Sequence, residues 1–231
     1  MGRKRASQTN CPIAFDKPPT LSLIFQRKYL GDKVQENFKA DAAILSQFQA
    51  VGLGLFQRGL ISSHSGNLSV LLEDKMLITR RGCMLGDIRA LDLVETRLDR
   101  SDRISPLASS ELEVHRAVYQ NTRSRALVHA HPPHAIALSL TEKVVKPCDG
   151  EGMGLVPSVP VLGGAGVKPR DIADPIAEAL CDHPIVLVYG YGCFAASQLL
   201  EETLLWITAL EGSCHILFLL KSLGDHQRPM V

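Results

Sequence analysis

The chain has 231 residues, the size of one ordinary α/β domain, and its 45% hydrophobic and 21% charged residues allow a real core rather than a disordered tail. Its 25 Lys and Arg against 24 Asp and Glu leave a net charge of +1, so no overall field draws it to nucleic acid or an anionic membrane. The six Cys contain no C-x-x-C pair, which argues against a thiolate zinc site or a disulfide framework and for a reducing cytoplasm. No stretch of membrane-spanning length is expected, because Leu199 to Leu220 is interrupted by Glu201, Glu202, Glu211 and His215. Met1 to Arg5 is basic but lacks the apolar run of a secretory signal.

Residues 1–32, with Pro12, Pro18 and Pro19 and little periodicity, read as an extension to a domain over 33–231. From Lys33 the apolar spacing of Phe38, Ala42, Leu45, Phe48 and Leu55 predicts a helix that Gly59 closes. The turn-rich run Ser62 to Asn67 leads into a strand, Leu68 to Leu72. Glu73-Asp74-Lys75 turns the chain into a returning strand, Met76 to Thr79, followed by an Arg80-Arg81-Gly82 loop. Ser110 and Glu113 are spaced as a capping box for a helix ending near Asn121. Ala126 to His131 reads as a strand stopped by Pro132 and Pro133.

A helix over His134 to Leu140 and a strand over Pro157 to Leu162 come next. Asp174-Pro175 has the form of an N-cap and first turn, for a helix that could begin as early as Arg170. Ile185 to Tyr189 is a buried-type strand, and Ser197 to Leu223 a long amphipathic helix stopped by Gly224. Strands and helices interleave, yet the early hairpin excludes a purely parallel sheet. The expected fold is a three-layer α/β/α sandwich with a mixed, largely antiparallel sheet.

Three groups of residues could carry chemistry. On a strand, His129 and His131 project from one face about 6.5–7 Å apart, a spacing at which two imidazoles can converge on one divalent ion. In Ser109-Ser110-Glu111, two hydroxyls and open backbone amides at a helix start form an anion site, and Glu111 could serve as a ligand or a base. His115, four residues on, reads as structural. Ser65-Gly66-Asn67 and Thr79-Arg80-Arg81-Gly82 combine small residues with Arg and could approach a phosphate or carboxylate. The order G-x-G-x-x-G is absent from Gly163 to Gly166, and no Ser sits in a G-x-S-x-G elbow.

Taken together, Ser65-Gly66-Asn67, Ser109-Ser110-Glu111 and His129-Ala130-His131 resemble the class II aldolase/adducin family, in the manner of fuculose-phosphate aldolase, over roughly Lys33 to Gly224. The resemblance implies a divalent metal on His129 and His131, usually zinc and sometimes manganese or cobalt, with Glu111 as the catalytic carboxylate. It places Ser65, Gly66, Asn67, Gly82, Ser109 and Ser110 around a substrate phosphate, and Arg81 beside them suits a substrate of additional negative charge. It further implies a cytoplasmic homotetramer that cleaves a C–C bond of a small phosphorylated sugar or keto acid by stabilising an enediolate. Two positions depart from the family pattern. Tyr191 stands where the third metal-binding His is expected, and Val161 where the aldolases carry a tyrosine proton donor. These departures keep two alternatives open, a non-catalytic adducin-like scaffold protein and a decarboxylase.

Overall fold

The computed structural model describes residues 42–224, so the expected extension and the start of the first helix lie outside the described residues. Helix α1 (Ala42–Gln57) leads through the left-handed Gly59 (φ 68°) and a turn to β1 (Asn67–Leu72), β2 (Lys75–Thr79) and β3 (Leu93–Arg97). Then follow α2 (Leu112–Asn121), β4 (Ala126–Ala130), α3 (Pro133–Ser139), β5 (Val144–Val145), α4 (Gly150–Leu155) and β6 (Val159–Leu162). The chain closes with α5 (Ala173–Asp182), β7 (Ile185–Val188), β8 (Gly192–Ser197) and α6 (Leu200–Ser222).

The strands form one sheet of order β3-β2-β1-β4-β8-β7-β6-β5, antiparallel at every pairing except β6 with β7. Side chains alternate across the strands and therefore feed two separate cores. On one face Leu68, Val128 and Ala195 pack with Phe48 and Leu55 of α1 and Ile207 and Leu210 of α6. On the other, Ile78, Leu127 and Phe194 pack with Val114 and Val118 of α2 and Ile176 and Leu180 of α5. This is the expected three-layer sandwich. The central strand, β4, is buried along its whole length between β1 and β8.

Several local expectations are corrected. Ser110 caps nothing: α2 starts at Leu112, Glu111 is its N-cap, and no side chain closes a capping box there. Asp174 lies inside the first turn of α5, whose N-cap is Ile172, because a 3₁₀ turn over Pro169–Ile172 carries the chain into the helix. Helix α6 spans 23 residues, and an 18-residue window reaches a mean hydropathy of 1.6, so its acidic residues do not break its apolar character. By length and composition it could cross a membrane; one face packs along β4, β8, α1, α3 and α4, while Ile216, Phe218, Leu219 and Leu220 are exposed. Glu211 is accommodated because its carboxylate accepts the backbone N–H groups of His134 and Ala135 at the start of α3.

Candidate active site

The His pair lies at the end of the central strand. The Pro132-Pro133 step ends the ladder at Ala130, and the His131 N–H donates to the Leu60 carbonyl (2.7 Å), which fixes the strand end against the turn after α1. The two Nε2 atoms are 2.9 Å apart. His129 is buried and held on three sides. Its Nδ1–H donates to the Cys193 carbonyl (2.9 Å), Phe194 stacks on one face at 4.3 Å, and Tyr191 lies near-parallel at 5.3 Å. With the proton committed to Nδ1, the Nε2 lone pair points toward His131. Burial pushes the His129 pKa down to about 4 and that of His131 to about 3, so both rings are neutral near pH 7, the form that ligates a cation.

Two glycines make room for this arrangement. A Cβ on Gly192 would press on the Ala130 carbonyl oxygen and lie 2.9 Å from both His129 Cε1 and His131 Cδ2. At Gly66 the backbone is left-handed (φ 78°), and a Cβ would meet the His129 carbonyl oxygen at 2.9 Å. The close approach of β1 and β8 to the His strand therefore depends on absent side chains.

Glu111 enters from the start of α2. Its Oε1 accepts the Tyr191 hydroxyl proton (2.7 Å), while Oε2 is buried without a hydrogen-bond partner among the described residues. Burial raises the Glu111 pKa above the usual carboxylate range; the Tyr191 hydrogen bond and the charges of Arg170 and Arg81 act in the opposite direction. Tyr191 reaches both partners because it sits in the tight turn between β7 and β8, after the left-handed Gly190 (φ 62°).

The anion end of the site is built where β2 runs out. Arg80 N–H donates to Asp92 O, Arg81 N–H to Leu107 O and Ser109 N–H to Thr79 O, which docks the Arg80 to Gly82 loop beside Ser109 and Ser110. The Ser109 hydroxyl accepts the Glu111 N–H (3.2 Å), whereas Ser110 is exposed. The Ser65 hydroxyl accepts the Ser62 N–H (2.7 Å) and closes the turn ahead of Asn67.

One cavity of about 130 Å³ joins the two ends, with Ser65, Gly66, Asn67, Arg81, Gly82 and Ser109 around it. Ser110, Glu111, His131 and Tyr191 line it as well. His129 lies behind His131, in contact with it but away from the opening. A larger depression of about 420 Å³ between β3, α2 and α5 contains no histidine, so the smaller cavity is the candidate site.

Does this donor set fit a divalent cation? Two imidazole nitrogens 2.9 Å apart, joined by a hydrogen bond in which His131 Nε2–H donates, are within reach of two metal–nitrogen bonds of about 2.0–2.1 Å once that proton is lost. The orphaned Glu111 Oε2 adds an unsatisfied negative group to the same cavity. The fit therefore holds for two ligands. Among the described residues, no group of three His, Cys, Asp or Glu is arranged to hold an ion, which leaves the third donor to Tyr191 or to a movement of Glu111.

Several contributors have no signature in the sequence. Arg170 acts on Glu111 from 59 positions away in the chain, and Gly192, Phe194 and the Cys193 carbonyl come from β8, a strand that the sequence pattern does not announce. His64 and Arg80 also line the cavity. Only the alternating small and apolar residues of Gly192 to Ala196 could have marked β8.

Comparison with known proteins is consistent with this geometry. A family model described as the class II aldolase and adducin N-terminal domain matches residues 46–218. The 3-oxo-tetronate 4-phosphate decarboxylase of Escherichia coli (strain K12) is 29% identical over 194 residues, 79% of this chain and 89% of that protein. The methylthioribulose-1-phosphate dehydratase of Acidiphilium cryptum (strain JF-5) is 28% identical over 176 residues, 70% of this chain and 83% of that protein. The crystal structure of L-fuculose-1-phosphate aldolase from Thermus thermophilus superposes with a TM-score of 0.76 at 36% identity, over 82% of this chain and all of that one.

Proposed function

The chain belongs to the class II aldolase and adducin N-terminal domain family, and from that premise we propose that it is a metal-dependent lyase acting on a small phosphorylated substrate that carries a carbonyl. The observation that carries this reading is a cavity lined by His131, whose Nε2 meets that of the buried His129, and by Glu111, whose Oε2 has no partner among the described residues, with a basic other end. The relatives named above are an aldolase, a decarboxylase and a dehydratase, each with a phosphorylated compound in its name. They favour an enzyme over a scaffold protein.

His129 and His131 would hold the cation, with Tyr191 or Glu111 completing the set; zinc, manganese and cobalt all suit imidazole and oxygen donors. Once bound there, a divalent ion supplies a Lewis acid that draws electron density from a substrate carbonyl. The chain's own residues do the rest. Glu111, desolvated and half-restrained by Tyr191, presents Oε2 as the group that moves a proton. The Ser65 to Asn67 turn, Gly82, Ser109 and Ser110 hold the phosphate, and Arg81 orients it by charge. Walls from Phe194 and the β8 backbone keep water from the buried side of His129.

Decarboxylation of a phosphorylated 3-oxo acid is favoured over aldol cleavage by two observations. Val161 offers no proton donor where the aldolases have a tyrosine, and Arg81, which lines the cavity, suits a substrate with a second negative charge. The test is to purify the protein without chelator, measure its metal by mass spectrometry, and follow CO2 release from 3-oxo-tetronate 4-phosphate. Bound metal with CO2 release supports the reading; cleavage of L-fuculose 1-phosphate without CO2 release from the oxo acid returns the reaction to an aldolase. A metal-free protein inert toward both overturns the lyase.

A further inference from the structure

Three buried polar side chains between β1 and α2 take no part in the chemistry above. His115 of α2 is fully buried, yet both its ring nitrogens are partnered: Nδ1 with Ser69 Oγ at 2.6 Å and Nε2 with Asn67 Oδ1 at 2.5 Å. Ser69 Oγ is in turn 2.6 Å from the Tyr119 hydroxyl. Asn67 and Ser69 are two apart on β1, so both face α2, where His115 and Tyr119 are one helical turn apart.

Donor counting sets the direction of this chain. Asn67 Oδ1 can only accept, so the neutral His115 ring carries its hydrogen on Nε2; its Nδ1 then accepts from Ser69, whose hydroxyl, with its one proton spent, accepts from Tyr119. A neutral imidazole with Nδ1 accepting carries its hydrogen on Nε2 and donates it to Asn67. The reverse order would leave two acceptors, a bare Nε2 and the Asn67 Oδ1, facing each other. With Oδ1 of Asn67 occupied in this way, its NH2 is the end turned away from α2, and Asn67 lines the cavity beside Gly66 and Arg81.

We infer that His115 is a positioning residue for anion recognition. Locked by Ser69 and Tyr119, it turns the Asn67 amide so that two N–H donors face the pocket which, on the reading above, takes the substrate phosphate. An unanchored amide would present its oxygen to an anion half of the time and repel it. This explains why a buried core position carries an imidazole where an apolar side chain would fill the same space.

The experiment combines 15N NMR of the histidine-labelled wild-type protein with titrations of inorganic phosphate. At pH 7 the His115 ring should show the Nε2–H tautomer with a bare, hydrogen-bonded Nδ1. His115→Phe should weaken phosphate binding about tenfold, and His115→Gln, whose amide can still donate to Asn67, should recover most of that. In an Asn67→Ala background, either His115 substitution should cost nothing further. An Nδ1–H tautomer, unchanged phosphate affinity in a folded His115→Phe protein, or a loss that persists without Asn67 would each overturn the inference. If His115→Phe does not fold, the wild-type tautomer and the His115→Gln/Asn67→Ala cycle decide. Wild-type protein that binds no phosphate but shows the Nε2–H tautomer refutes the phosphate reading and leaves the amide orientation standing.

Discussion

The two ends of the site are held by different means. At the imidazole end, position is set by backbone: β4 lies between β1 and β8, the His131 N–H is bound to Leu60, and Gly66 and Gly192 let neighbouring strands approach too closely for any Cβ. At the anion end, Arg81 and Ser110 are exposed on a loop and a helix start. There, the loop backbone is docked by hydrogen bonds, but those two side chains are free to move, and Asn67 is held from behind by the His115 side chain. A sheet interior has few ways to relax, whereas a loop has many. Substitutions at the first end should therefore act on fold and function together, and those at the second on ligand affinity alone.

The largest effect is expected at Gly192. Gly192→Ala puts a methyl group against the Ala130 carbonyl and both imidazoles, should cost about 2–3 kcal/mol of stability and, if the proposed cation sits on the two imidazoles, should lower the metal content. Thermal unfolding and metal analysis on one preparation check this. A stable variant that keeps its metal would show that the strands can part, and the contrast between the two ends would fail.

Tyr191→Phe probes the seam between them. It removes the donor to Glu111 Oε1 and leaves a buried carboxylate with neither oxygen paired by Tyr191, a loss of about 1–3 kcal/mol. If Tyr191 is also the third ligand, metal content falls with it. Unchanged metal in the purified variant refutes coordination by the phenol, and a fall in Glu111→Gln instead would identify Glu111 as the third donor.

How legible was this in the sequence? The sandwich was, because period-two and period-3.6 patterns alternate and the early hairpin fixes an antiparallel start. Spacing on one strand and a helix start also single out His129, His131 and Glu111, and the structure brings His131 and Glu111 to one cavity with His129 behind; that they bind metal and move a proton is the proposed function. What escaped were relations through space. The role of β8 depends on Gly192 and on a carbonyl, and a backbone carbonyl has no sequence signature. The capping box failed at Ser110 because Ser109 takes that part of the chain into a tighter turn, accepting the Glu111 N–H with its hydroxyl and the Leu112 N–H with its carbonyl. His115 looked merely structural from its spacing, and only its two partners on β1 show what it holds in place.

The buried imidazoles also make stability depend on pH. Burial lowers the His115 pKa to about 3 in the folded state, against an ordinary value of 6.5 in the unfolded chain. Above pH 6.5 neither state takes up a proton there. As the pH falls from 6.5 toward 3, the unfolded chain binds one proton more, so stability drops by about 1.4 kcal/mol per pH unit from this residue. Urea unfolding between pH 7 and 5 should show an acid slope that His115→Gln reduces by about one proton. An equal slope in the variant would mean that His115 is protonated in the folded protein.

The smallest effect belongs to the exposed end. Arg81→Gln removes a charge that reaches both the anion pocket and Glu111 without disturbing any buried contact. Phosphate affinity should fall about three- to tenfold in dilute buffer, and the difference should shrink as salt is raised, since an exposed charge is screened beyond about 8 Å at physiological ionic strength. The unfolding midpoint should stay where it was. If affinity is lost equally at low and high salt, Arg81 contacts the anion directly in a desolvated pocket, and the anion end is as closed as the imidazole end. If the midpoint falls as well, the loop is part of the fold's support and the division between a backbone-held half and a side-chain-held half has to be redrawn at β2.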